Sequence, residues 1–124
     1  MNRTIMIVDD DDDLRAMLVD AFEGDGYQVL EAADGSKALK LFANSPADVV
    51  LTDILMPNIE GIETILELKR RYKLKNIIAM SGGGRTGDKD ILRTAKQTGI
   101  MKVFAKPIDL NDLLAYVGSL FPAR

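Results

Sequence analysis

Five short apolar segments rich in β-branched residues recur along the chain at intervals of 21 to 28 residues, at 4–8, 27–31, 48–53, 76–80 and 102–105. Runs this short, with no polar alternation, suit strands covered on both faces. The stretches between them carry helical spacing. Leu14, Met17, Leu18, Ala21 and Phe22 follow the i, i+3, i+4, i+7, i+8 pattern of one buried face. Leu110, Leu113, Leu114, Val117 and Phe121 repeat it near the C-terminus. Ile62, Ile65 and Leu66 do so in the middle, Ala38, Leu41 and Phe42 more briefly, and Ile91, Leu92 and Ala95 most weakly. Gly26, Gly35, Gly61 and Gly99 fall at element ends, and Pro46 closes the second helix. Strand and helix alternating five times predict an α/β fold, a doubly wound parallel sheet of five strands with helices on both faces, (βα)5. With 124 residues, the chain is expected to form one domain over 1–124.

Composition narrows the chemistry such a sheet can carry. There is no Cys and no His. Disulfides, thiolate metal sites, the Ser-His-Asp triad and the usual zinc ligands are therefore excluded. A net charge of -3 argues against direct nucleic-acid binding and against attachment to acidic membranes. No apolar run approaches a membrane span, and the N-terminus does not read as a signal peptide, so a cytoplasmic location is expected. Carboxylates, Lys, Ser, Thr and a metal ion remain.

Those groups are not scattered. Four of the five predicted strands end in one: Asp9 and Asp10 after the first, Asp53 after the third, Ser81 after the fourth and Lys106 after the fifth. Open α/β sheets bind their ligands beyond the carboxyl ends of the strands, where strand order reverses. If strands one and three are neighbours, Asp9, Asp10 and Asp53 converge there. Three carboxylates held together repel, so one must protonate or a cation must sit among them, and an all-oxygen donor set suits Mg2+. An ammonium and a hydroxyl beside a metal can surround a transferring phosphoryl group, and a carboxylate in that setting can act as nucleophile, giving an acyl phosphate.

The residues that carry this pattern also carry a likeness. Over essentially its whole length the chain resembles the response-regulator receiver domains of two-component signalling. The matching stretches are Ile5-Met6-Ile7-Val8-Asp9-Asp10, Asp53-Ile54-Leu55-Met56-Pro57 with Gly61, Met80-Ser81-Gly82 and Lys106-Pro107, with Ala33-Asp34-Gly35 a lesser match. The resemblance implies a flavodoxin-like strand order 2-1-3-4-5. It implies that Asp53 is the phosphoacceptor and that Asp10 and Asp53 are side-chain ligands of Mg2+. Asp9 would act through water, and the Leu55 backbone carbonyl would complete the protein ligands. Ser81 would bind a phosphoryl oxygen, Lys106 would pair with it, and the Lys106-Pro107 bond would be cis. The implied partners are a histidine kinase or histidine phosphotransfer protein and an unknown downstream protein. The implied function is a stand-alone signalling switch or phosphorelay intermediate rather than an enzyme. One position departs from the family pattern. Val103 stands three residues before Lys106, where the family usually has an aromatic, and Phe104 should point to the opposite face. The glycine-rich stretch 82–87 and the residues 88–91 are then expected to express activation in place of residue 103.

Other readings of the same residues fit less well. An EF-hand loop starting at Asp9 would need Gly and Glu where Leu14 and Asp20 stand. Gly82-Gly83-Gly84-Arg85-Thr86-Gly87 spells a dinucleotide motif, but after the fourth strand rather than the first. A phosphatase of the haloacid-dehalogenase type could use Asp9 and Asp11, yet it leaves Asp53 unexplained. A receiver-shaped module that is never phosphorylated has no support from an intact site. Asp11 and Asp12 read as acids complementing a helix start, Lys69, Arg70, Arg71, Lys73 and Lys75 as a solvated basic helix end, and the internal methionines as core.

Overall fold

The structure, a computed structural model, describes residues 3–54, 60–82 and 99–121. Strands β1 (Thr4–Val8), β2 (Gln28–Ala32), β3 (Val49–Asp53), β4 (Ile77–Ser81) and β5 (Lys102–Ala105) form one parallel sheet in the order β2-β1-β3-β4-β5. The described helices are α1 (Asp12–Gly24), α2 (Gly35–Asn44), α3 (Glu60–Tyr72) and α4 (Leu110–Ser119). The expected doubly wound order is the one observed. Leu55, the helix expected around Ile91, Leu92 and Ala95, and residues 83–91 lie outside the described residues.

Two apolar layers sandwich the sheet. Ile5, Ile7, Val49, Leu51, Ile78 and Met80 face Leu18 and Phe22 of α1 and Leu113 and Val117 of α4. Met6, Val8, Val50, Ile77 and Ala79 face Ala38 and Phe42 of α2 and Ile65 and Leu68 of α3. Every residue of β3 and β4 is buried. Alternate side chains of the central strands are covered on opposite faces, which is why those strands read as unbroken apolar runs. Each large aliphatic side chain buried this way contributes about 1.5–3 kcal/mol before the cost of ordering it.

Local polar groups set the helix starts. The Asp11 carboxylate accepts the amides of Asp13 at 3.0 Å and Leu14 at 3.1 Å, so α1 begins beside it. Asp34 and Asp109 cap α2 and α4 by accepting the amides of Lys37 and Asp112. Each such cap is worth about 1 kcal/mol. At its other end α3 leaves through Lys73, whose φ of 55° lies in the left-handed region. The Leu74 amide then reaches back to the Leu68 carbonyl at 3.4 Å.

Some details differ from expectation. β2 and β4 each start and end one residue later than the apolar runs suggest, and β3 starts at Val49. Tyr27 belongs to the exit turn of α1, because its amide bonds the Phe22 carbonyl at 3.0 Å while its ring packs edge-on against Phe22. Met6 and Met80 are core residues, but Met17 and Met101 are exposed. On α3 the inward positions are Ile65 and Leu68, and Leu66 lies on the surface. Arg70 and Arg71 both pair with Glu67 on the exposed side of α3, as a solvated helix end requires. Among the described residues no helix is long and apolar enough to cross a membrane.

Candidate functional site

A parallel sheet sends the carboxyl ends of all its strands to one edge. Asp9 follows β1 directly, Asp53 ends β3, Ser81 ends β4 and Lys106 follows β5. Because β1 pairs with β3, the two acidic ends meet: Asp9, Asp10 and Asp53 each offer a carboxylate oxygen, all within 4.8 Å of one another. Asp9 and Asp53 are buried and Asp10 is exposed. From the far side the Lys106 ammonium donates to Asp53 Oδ2 at 3.0 Å and to Asp9 Oδ2 at 3.2 Å. The Lys106 amide bonds the Ser81 carbonyl at 2.7 Å, which ties β5 to the end of β4, and the Lys106-Pro107 bond is cis. The described residues expected to form a site are brought to one place.

Charge in this cluster is only partly balanced. Burial pushes the Asp9 carboxyl above its ordinary 3.8, and the neighbouring Asp53 charge adds to the effect. The Asp11 amide on Asp9 Oδ1, at 2.8 Å, and the Lys106 ammonium pull the other way without cancelling it. At Lys106 burial works to lower the pKa, but the contacts with Asp53 and Asp9 outweigh it and leave the amine above 10.5. Among the described residues, the cluster of three carboxylates thus has one ammonium, Lys106, bonded to two of them. A small hard divalent cation fits the remaining negative charge and the all-oxygen donor set.

Two features around the site bear on its working. Val103 packs into the layer under α2 and α3, and Phe104 into the opposite one, as strand alternation predicts. Phe104 meets Tyr116 edge-on at 5.8 Å between centroids, beneath the Lys102 ammonium. The residue that sequence reasoning passed over is Arg15. Its Nη1 donates to the Asp9 carbonyl at 2.7 Å, Nη2 to Asp12 Oδ1 at 2.7 Å and Nε to Glu31 Oε1 at 2.9 Å. The i, i+3 spacing from Asp12 was its one visible signal.

The family model for the response regulator receiver domain matches residues 5–118. The chain belongs to that family. Sporulation initiation phosphotransferase F of Bacillus subtilis (strain 168) is 32% identical to it over 124 residues, covering 100% of this chain and 98% of the relative. Regulatory protein AtoC of Escherichia coli (strain K12) is 36% identical over 109 residues, which are 88% of this chain but 23% of that protein. Among solved structures, the Vibrio cholerae chemotaxis protein CheY4 superposes with a TM-score of 0.85 at 25% identity, covering 98% of this chain and 100% of that one. Receiver domains are phosphorylation-dependent switches or phosphorelay intermediates, and this receiver is one. Its partners are histidine kinases or histidine phosphotransfer proteins.

Proposed function

We propose that Asp53 is the phosphoacceptor of this receiver and that the metal its acidic cluster takes is Mg2+. The observation that carries the reading is the Lys106 ammonium, set against both Asp53 and Asp9 at the edge where Asp10 also converges. In the transfer, an Asp53 carboxylate oxygen attacks the phosphorus of a phosphohistidine. The P–N bond breaks, its electron pair returns to the imidazole nitrogen, and an acyl phosphate remains on Asp53. Lys106 then pairs with a phosphoryl oxygen, and the Ser81 hydroxyl, at the end of the adjacent strand, binds another. Asp10 and Asp53 would hold the metal directly, Asp9 through water, and the Leu55 carbonyl would supply a further oxygen. When bound, Mg2+ offsets the carboxylate charge and favours the charged phosphoryl oxygens.

Residues 1–124 act as one receiver domain in the cytoplasm, a phosphoacceptor rather than a turnover enzyme, which signals through a downstream protein. The haloacid-dehalogenase reading needs Asp11 as a free acid two residues after Asp9. Here one Asp11 carboxylate oxygen, Oδ1, accepts two helix amides as the cap of α1, and Asp9 lies fully buried against Lys106. Incubation with acetyl phosphate and Mg2+, followed by mass mapping, should place a single label on Asp53. Unchanged labelling of Asp53→Asn, or full labelling in excess EDTA, would overturn the reading.

A further inference from the structure

We propose that Arg15 is a positioning residue for the metal site, aiming the Asp10 carboxylate by holding the peptide that precedes it. The inference rests on the magnesium reading of the acidic cluster. Asp10 is exposed, and its side chain makes no hydrogen bond or ion pair with any described residue. Its direction is therefore set by its backbone. The Asp9 carbonyl and the Asp10 amide belong to one planar peptide unit, so fixing the first fixes where the second and its Cα lie. Arg15 Nη1 fixes that carbonyl at 2.7 Å.

The guanidinium is itself held from two sides. Asp12, in the first turn of α1, accepts from Nη2, and Glu31, near the end of β2, accepts from Nε. Only 15% of the Arg15 side chain is exposed. A planar fork with several donors can meet three acceptors on three parts of the chain, whereas a lysine ammonium offers a point charge. Asp9 needs no such help, because Asp11 and Lys106 already hold its two carboxylate oxygens. Arg15 thus supplies the restraint that Asp10 lacks.

The test uses wild type, Arg15→Ala, Arg15→Lys, Glu31→Ala and Asp10→Asn, with two readouts. Backbone order at Asp10 is followed by amide relaxation without metal, and Mg2+ affinity is measured by calorimetry. Arg15→Ala should loosen the Asp10 amide and weaken Mg2+ about tenfold, the usual scale for groups that orient a ligand. Arg15→Lys should recover little of either. Glu31→Ala removes an ion pair but spares the contact with the Asp9 carbonyl, so it should lower the melting temperature while keeping most of the Mg2+ affinity. An ordered Asp10 amide in Arg15→Ala would overturn the proposal. So would losses of affinity that simply track losses of stability across the Arg15 and Glu31 variants. A wild type that binds no Mg2+, or an Asp10→Asn variant that binds it as tightly as wild type, refutes the metal reading, and the metal-free arm still judges Arg15.

Discussion

Lys106 Nζ and Asp53 Oδ2 stand 3.0 Å apart although 53 residues separate them in the chain. The contact exists because β5 lies beside β4 and β4 beside β3, so that the ends of three strands share one edge. In the transfer proposed above it would give Lys106 two tasks, balancing carboxylates before the step and a phosphoryl group after it.

Lys106→Ala should remain folded but lose about 1–3 kcal/mol in the metal-free state, the scale of a charged hydrogen bond at a partly buried site. Asp53 should still accept a label from acetyl phosphate. Amide shifts recorded with and without a beryllofluoride phosphoryl mimic should then change far less than in wild type. A full spectral response in the variant would show that the lysine does not couple phosphorylation to structure.

Asp9 gives the metal-free protein a pH dependence of definite sign. Burial and the Asp53 charge hold its native pKa above the unfolded value of 3.8, so the folded state binds its proton more tightly. The stability this group contributes is fully present below 3.8 and is lost as pH rises through the raised native value. Denaturation in EDTA across about pH 3 to 7 should show wild type losing stability relative to Asp9→Asn as pH increases. A difference that is flat, or that grows in favour of wild type, would contradict the assignment.

Val103 is stiff at χ1 and too short to swing between two environments as an aromatic ring could. Val103→Ala should therefore keep the response to beryllofluoride, and Ser81→Ala should lose most of it. Amide mapping over residues 82–91 is the measurement. Abolition of the response by the valine change alone would place the switch at residue 103.

Lys73 takes a left-handed conformation, φ 55°, that costs an L side chain about 1 kcal/mol. Gly26 and Gly99 meet the same demand at φ 93° and 88° without that cost. Lys73→Gly should therefore raise stability, by about 0.5 kcal/mol once the freer unfolded chain is counted, and the melting temperature by about 2 °C. A lower melting temperature would mean that the lysine side chain contributes more than its backbone strain.

The fold and most of the site were legible because both rest on short-range pattern plus one topological rule. Strands buried on two faces advertise themselves as apolar runs, and the residue after each run is fixed at the sheet edge without knowledge of any contact. Side chains one step around a helix were harder. Leu66 and Leu68 are equally apolar, and which one faces the sheet depends on the phase of α3, which a single sequence segment does not determine. Arg15, apart from its i, i+3 spacing to Asp12, was hidden for a different reason. Its partner Glu31 lies 16 residues away on β2, and its third acceptor is a backbone carbonyl, which no side-chain pattern reports.

The same sheet edge orders events in time as well as in space. Lys106 lies 97 residues beyond Asp9, just after β5, the last strand of this sheet in chain order. A growing chain therefore holds all three acids before it holds their counter-charge. Until β5 docks on β4, the acids face one another without the ammonium that Asp9 and Asp53 accept from in the folded domain. The charge balance of this edge is in this way completed only when the last strand of the sheet is in place.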